Sequence, residues 1–164
     1  MTCAVFDRRR TLGFTLIEMV VTVAIVGILA GAALPLAELS VKRVQEHELQ
    51  AALRQIRTAI DDYKRAAEEG RIARSDTETG YPKSLALLVD GVPDQKSPGR
   101  KKIYFLRRLP RDPFATDAEI AAAQTWGKRA YASPPEDPRE GEDVYDVYTA
   151  SPGIGINGIR YRDW

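Results

Sequence analysis

The sequence predicts an α+β fold in which one long N-terminal helix packs by its second half against a small antiparallel β-sheet head. Three observations in these 164 residues predict it. An uncharged run extends from Met19 to Ala37, and an apolar stripe with helical spacing follows it. Short strand candidates separated by turn-rich segments occupy the last half of the chain. This length accommodates one small domain and one extended element.

The uncharged run predicts a membrane-spanning helix. As a helix it is about 28 Å long, close to the roughly 30 Å of hydrocarbon in a bilayer. Basic residues at positions 8–10 precede it, which predicts a cytoplasmic N-terminus with the bulk of the chain on the far side. A cleaved secretory signal peptide is the alternative. The run is longer than the usual apolar core of such a peptide and reaches Glu38 without a clear cleavage context, so a retained anchor is favoured.

Residues 38–69 continue the helix as an amphipathic segment. Pro35 is expected to kink the helix without ending it, and Gly70 is a natural stop, so a single helix is predicted over residues 14–69. A coiled coil is the alternative, but the heptad does not persist for four repeats, which favours contact with a globular head. The apolar positions that form the stripe are Leu39, Val44, Leu49, Leu53, Ile56, Ile60, Tyr63 and Ala67, widened by Ala52, Ala59 and Ala66.

The remaining residues predict a compact, loop-rich head. Strand candidates cover residues 101–106, 126–132 and 143–149, and a short helix is predicted after Pro82, closed by Gly91. Three or four antiparallel strands cannot bury both of their faces alone. The stripe from Leu49 to Ala67 is therefore the predicted partner layer.

Composition excludes several classes of function. The net charge of +1 offers no basic stripe for nucleic acid. One His and one Cys cannot build a two-histidine metal site, a CxxC redox pair or an internal disulfide. An anchored hydrolase is disfavoured because no nucleophile–base constellation is present. We therefore expect no catalytic residues, no metal site, no cofactor and no nucleic-acid partner.

Glu18 is the one charged residue between Gly13 and Glu38. A carboxylate at membrane depth costs about 2.5–3.5 kcal/mol on insertion scales unless it is paired. Cleavage between Gly13 and Phe14 would create a cation, a free amine at the start of the helix, where the dipole adds positive charge. Glu18 would meet that amine in its own chain or, with an axial offset, in a neighbouring chain. The alternative is a carboxylate that reaches the headgroup region.

The basic leader ending in Gly13, the run Phe14-Thr15-Leu16-Ile17-Glu18 and the apolar helix resemble the class III signal of type IV pilins and pseudopilins. The resemblance implies that a prepilin peptidase cleaves after Gly13 and methylates Phe14, and that Glu18 recruits and registers subunits. It further implies a cleaved leader at residues 1–13, a transmembrane and assembly helix at 14–37, its amphipathic continuation at 38–69, and a globular head at 70–164.

The head also resembles one branch of this family. Thr79-Gly80-Tyr81-Pro82, residues 104–114 and residues 143–164 are similar to stretches of the major, G-type pseudopilins of type II secretion systems. The absence of a cysteine pair agrees with this branch. Members of that branch hold calcium in an acidic C-terminal loop, but residues 151–160 read SPGIGINGIR and contain no carboxylate, so we expect no metal there.

The resemblance therefore implies a non-enzymatic structural subunit that self-associates into a helical filament. Its implied partners are other pseudopilins, an inner-membrane assembly platform, the prepilin peptidase and the membrane, with a cytoplasmic N-terminus and a periplasmic head. Two alternatives remain open. One is a minor pilin or competence pseudopilin of a type IV pilus-like machine, and the other is a membrane-anchored periplasmic binding module.

Overall fold

The computed structural model describes residues 13–164, except for the side chains of residues 32–35. The leader residues before Gly13, including the basic residues at 8–10, lie outside the described part. The chain divides into two compact units, one ending at Val41 and the other comprising Lys42–Trp164.

Helix α1 spans Leu16–Glu68, 53 residues, and continues past Pro35, in agreement with the predicted helix over 14–69. Gly70, two residues beyond the last helical residue, terminates the helix, and its φ of +70° suits a residue without a side chain. The Gly70 backbone N–H donates to Ala67 O at 3.0 Å, and the Arg71 N–H donates to Ala66 O at 2.9 Å. This pair of bonds is a Schellman motif, which closes the helix at the predicted stop.

The part of α1 in the first unit is exposed on every side. All side chains from Phe14 to Val41 are exposed, apart from residues 32–35, whose side chains are not described. An 18-residue window in α1 has a mean hydropathy of 2.4 and no buried residues. By length and composition, this helix can therefore cross a membrane.

The part of α1 in the second unit carries the buried stripe. All nine predicted members from Leu49 to Ala67 are buried, with Leu49 and Ile56 fully so. The prediction is wrong for Leu39 and Val44, which are 45% and 57% exposed. These two residues and Leu49 are spaced by five, and each such step turns the helix by about 140°, so the three do not share a face.

The head contains short elements. Helix α2 spans Ala86–Asp90, and strand β1 (Val92–Pro93) pairs antiparallel with β2 (Lys102–Ile103). Strand β3 (Trp126–Arg129) pairs antiparallel with β4 (Asp146–Thr149), Trp126 opposite Thr149. Single turns of 3₁₀ helix lie at Ala122–Gln124 and Tyr161–Asp163.

The strands are shorter than predicted and form two separate two-stranded sheets, not one sheet of three or four strands. The predicted strand over 101–106 ends early because the backbone N–H groups of Phe105 and Leu106 both donate to Leu88 O, at 3.0 and 2.9 Å. These two N–H groups are bonded to a carbonyl of α2 and are therefore not available to pair with a neighbouring strand.

The core of the second unit forms where α1 meets the head, as the sequence predicts. Burying each large apolar side chain contributes about 1.5–3 kcal/mol, so the head contributes hydrophobic stabilisation together with the stripe. The head residues that cover it include Leu85, Leu88, Leu106, Trp126, Val144, Val147 and Tyr161.

Candidate assembly site

Thr15 caps the N-terminus of α1. The Glu18 backbone N–H donates to Thr15 Oγ1 at 3.3 Å, and the Met19 N–H donates to Thr15 O at 3.2 Å. The N-cap at Thr15 was not among the sequence-based predictions, although a threonine three residues before a glutamate and an apolar run is a capping-box signature. The cap fixes the start of the helix directly after Phe14.

The predicted site residues lie together at this end. Gly13 and Phe14 precede the helix and are exposed, Phe14 to 73%, and Glu18 lies in the exposed first turn. The peptide bond between Gly13 and Phe14 is therefore open to solvent. Within residues 13–164, no ion pair involves the Glu18 carboxylate. Cleavage after Gly13, methylation of Phe14 and the pairing of Glu18 remain predictions.

The hydroxyl groups beside Glu18 are satisfied within the helix. Thr22 Oγ1 donates to Glu18 O and to Met19 O, each at 2.9 Å. Near the other end of the run, Ser40 Oγ donates to Leu36 O at 3.0 Å. Such internal bonds make a hydroxyl tolerable in hydrocarbon, because it has no water to bind there. The Glu18 carboxylate is therefore the group in this segment that needs a partner.

In the second unit, the C-terminal loop (residues 151–160) folds as a tight hairpin. Ile154 and Arg160 form a β-bridge, the Gly155 N–H donates to Ile159 O at 2.8 Å, and Gly158 turns the chain with a φ of +80°. A Cβ at Gly155 would lie 2.5 Å from the Trp164 indole ring, so this close approach requires glycine.

Two side chains of α1 hold this loop. Lys42 Nζ donates to Ile154 O at 2.8 Å. The Glu46 carboxylate accepts from the Ile156 N–H at 2.8 Å and from the Tyr161 hydroxyl at 2.9 Å. Nothing local to the helix distinguishes Lys42 and Glu46 from its other charged residues, because their partners lie far along the chain.

The environment of Tyr161 affects its ionisation. Burial first, and then the hydrogen bond to Glu46 with its negative charge, raise the pKa of Tyr161 to about 12. Its ring stacks on Phe114 at 4.4 Å between centroids, and Lys42 Nζ lies 5.9 Å from its centroid.

Arg57 ties the helix to the closing part of the head. Its Nε donates to Asp146 Oδ1 at 2.7 Å, and Nη2 donates to Val147 O at 3.1 Å and to Trp164 O at 2.8 Å. One guanidinium therefore fixes strand β4 and the last residue against α1. The five donors of Arg in a planar fork permit this, whereas a lysine offers a single compact ammonium.

The head motifs that carry the resemblance form structural contacts. The Thr79 hydroxyl donates to Asp143, which also accepts from the Tyr131 N–H at 2.9 Å. The buried Asp112 accepts from the Thr149 hydroxyl and from the Phe114 N–H at 2.8 Å. Each aspartate joins segments that are distant in sequence, which explains why these residue types occur in the motifs.

The described residues contain no group of three or more His, Cys, Asp and Glu arranged to hold a metal ion. Three aspartates flank the C-terminal loop. Asp143 accepts from neutral donors, Asp146 pairs with Arg57 and, at 3.5 Å, with Arg129, and Asp163 is exposed. His47 is exposed.

Known proteins share both the N-terminal segment and the head. The model of the prokaryotic N-terminal methylation motif matches residues 8–34. A type II secretion system core protein G from Pseudomonas aeruginosa is 31% identical over 141 residues, 86% of this chain and 94% of that protein. Two type IV major fimbrial proteins FimA from Dichelobacter nodosus are 34% and 41% identical, over 74% and 71% of this chain and 74% and 78% of theirs. No solved structure matches the chain with statistical significance.

Proposed function

Since this chain belongs to the family of type IV pilins and pseudopilins, we propose that it is a filament-forming subunit of a type II secretion pseudopilus, which aids protein export. One observation carries the proposal: a single carboxylate, Glu18, stands in an exposed apolar helix and has no cationic partner in the described chain. The core protein G relative, aligned over 94% of its length, supports the secretion branch, as do the head motifs.

Processing divides the chain into functional segments. The prepilin peptidase removes residues 1–13 by cleaving the exposed bond after Gly13, and it methylates the new N-terminus on Phe14. Residues 14–37 then span the inner membrane, residues 38–69 continue the helix, and residues 70–164 form the periplasmic head. The N-terminus is cytoplasmic because the basic residues of the leader stay on that side.

The amine created at Phe14 is the counter-ion of Glu18 in a neighbouring subunit. Within a subunit, residues 14 and 18 are separated by about 6 Å along a helix axis. A neighbouring subunit displaced along the axis by that distance places its Phe14 amine opposite the Glu18 carboxylate of the first subunit. Displacement in the other direction places its Glu18 carboxylate opposite the first Phe14 amine. Because an unpaired carboxylate in lipid is costly, this pairing favours assembly in one axial register.

The filament grows by packing these N-terminal helices. The contact is heterologous and does not close on itself, so it extends as a helix of subunits. Gly27 and Gly31 lie one turn apart, and nothing lies within 4 Å of a Cβ built at either residue. Small residues at this spacing allow helices to approach closely in lipid.

The partners that follow are other pseudopilins, the inner-membrane assembly platform and the prepilin peptidase. The chain acts as a structural component and not as an enzyme. A nucleic-acid partner is not expected at a net charge of +1.

A second candidate is a type IV pilus subunit, such as a minor pilin or a competence pseudopilin. The fimbrial relative that is 41% identical over 126 residues favours it. Deleting the gene separates the two functions. Loss of exported proteins from the medium supports the secretion role, and loss of surface pili or DNA uptake with normal export supports the pilus role.

Replacing Glu18 tests the proposal. The variants Glu18→Ala and Glu18→Gln should enter the membrane normally, because each removes a charge at membrane depth, and should be absent from the cross-linked filament fraction of the cell envelope. Glu38→Gln is the matched control, an exposed carboxylate of the same helix beyond the uncharged run, and should assemble like the parent. Recovery of Glu18→Ala in filaments at the parental level would contradict the role of Glu18.

A further inference from the structure

Three exposed isoleucines crowd the C-terminal loop. Ile154, Ile156 and Ile159 are 55%, 44% and 49% exposed within six residues of sequence. Isolated exposed apolar residues are ordinary, but three β-branched side chains on one short hairpin concentrate exposed apolar surface there, which favours a partner. None of them belongs to the core of the second unit.

The loop is held rigidly enough to present this patch. The β-bridge between Ile154 and Arg160, the turn at Gly158 and the contact of Gly155 with the Trp164 ring fix its shape. The bonds from Lys42 and to Glu46 fix its position on α1. A preorganised loop loses little conformational entropy when it binds.

The hydrogen bond from Lys42 to Ile154 limits the distance between the loop and the membrane. Lys42 follows Ala37, the last residue of the uncharged run, by five positions. Five residues cover about 7.5 Å in a helix and at most about 18 Å when fully extended. The polar headgroup layer of one leaflet is about 5–8 Å thick. Once residues 19–37 span the bilayer, the loop attached to Lys42 is therefore confined near the membrane surface, whatever the angle between the two units.

We propose that the C-terminal loop is a membrane-contact surface, which inserts Ile154, Ile156 and Ile159 into the interfacial layer of the lipid leaflet that faces the head. The exposed Arg160 and Arg162 beside them carry positive charge toward lipid phosphates, and residues 151–162 contain no acidic side chain. Apolar side chains flanked by arginine are the composition that favours the membrane interface.

This contact would position the head of the membrane-stored subunit, before it enters the filament. The inference rests on the membrane insertion in the proposed function. It adds a second attachment to the bilayer through a part of the head that is distant in sequence from the anchor.

The test uses the full chain in phosphatidylethanolamine–phosphatidylglycerol vesicles, in a Cys3→Ser background. An environment-sensitive fluorophore is attached at Pro152→Cys in the loop or at Asp76→Cys, both exposed positions. Asp76 follows the far end of α1, about 39 Å along the helix from Lys42 to Glu68. We expect lipids with a nitroxide near the headgroup to quench the fluorophore at residue 152 several-fold more than the one at residue 76.

Replacing the three isoleucines identifies the cause of the quenching. The triple variant I154S/I156S/I159S should lower quenching at residue 152 to the level at residue 76, and I154L/I156L/I159L should retain it. Because these side chains are exposed, both variants should unfold at the parental temperature. Equal quenching at the two positions, or quenching unchanged by the serine variant, would overturn the proposal.

Two further outcomes separate the sources of failure. Protein that does not float with the vesicles would contradict the anchor, and the loop contact with it, whereas protein that floats without quenching at residue 152 contradicts the loop contact alone. A fluorescence change that appears only as the protein-to-lipid ratio rises would assign the patch to a second copy of this chain, and would also overturn the proposal.

Discussion

Both ends of helix α1 carry many apolar residues, but only one end buries them. Between Phe14 and Gly31 every side chain is exposed, whereas Leu49, Ile56 and Ile60 are at most 1% exposed. The first segment is apolar on all sides, and the second is apolar on one face. An all-round apolar helix is stable when lipid or other helices surround it, and a striped helix is stable against a single layer.

The two segments of α1 therefore differ in what covers their apolar side chains. The stripe is satisfied inside the chain by the head, so its contribution is folding stability. The described side chains of the first segment are exposed, and the proposed function assigns them to the membrane and the filament. Under that proposal, one helix serves folding at one end and assembly at the other.

Replacing an isoleucine by alanine should be costly at one end of α1 and nearly neutral at the other, and this is the largest effect expected on stability. Ile56→Ala opens a cavity in a fully buried site and should lower the free energy of unfolding of the head by about 2–5 kcal/mol. Ile25→Ala, at a residue 51% exposed, should change it by less than about 0.5 kcal/mol.

Urea unfolding in detergent, followed by the fluorescence of Trp126 and Trp164 in the head, measures both variants. Similar losses of unfolding free energy for Ile25→Ala and Ile56→Ala would show that the anchor segment contributes to the folding of the head. That result would contradict the distinction between the two segments.

Arg57 is a polar residue in the striped segment of α1, and we expect it also to contribute to the folding stability of the head. Arg57→Ala removes the bonds to Asp146, Val147 and Trp164, and should cost about 1–3 kcal/mol of unfolding free energy. Arg54→Ala is the control, an exposed arginine on the same helix, and should cost less than about 0.5 kcal/mol. Equal unfolding midpoints for the two variants would contradict the role given to Arg57.

Tyr161 gives the smallest expected effect. Tyr161→Phe removes one hydrogen bond to Glu46, worth about 0.5–1.5 kcal/mol at neutral pH. In the parent, the pKa of Tyr161 is raised from 10.0 to about 12, so the unfolded chain loses this proton first as the pH rises. The associated stability is present below pH 10 and is lost between pH 10 and about 12.

Urea midpoints measured from pH 8 upward check this sign. The parent should lose stability more steeply than Tyr161→Phe in the alkaline range, because the variant lacks the titrating hydroxyl. An identical slope for both proteins would show that the Tyr161 proton is not linked to folding.

Hydrophobic periodicity was sufficient to predict the long helix, its stop at Gly70 and its buried face, because these depend on local spacing. Strand lengths and sheet number were not predictable in this way. The strand over 101–106 ends where Phe105 and Leu106 donate to Leu88, a bond set by the packing of α2 and not by local composition.

The features of the candidate assembly segment are visible in the sequence because they are contiguous from Gly13 to Glu18, and its role in assembly stays a prediction. The Thr15 cap was readable as well, from its spacing to Glu18. The contacts of Lys42, Glu46 and Arg57 were not, since their partners lie 89 to 115 positions later in the chain.

Mass spectrometry of the protein purified from cells that contain a prepilin peptidase tests the central claim most directly. The account predicts a mature chain that begins at Phe14 and carries a methyl group on its amine, with the intact chain accumulating when the peptidase is deleted. A chain that still begins at Met1 in peptidase-containing cells would contradict it, because Glu18 would then lack the amine with which it is proposed to pair.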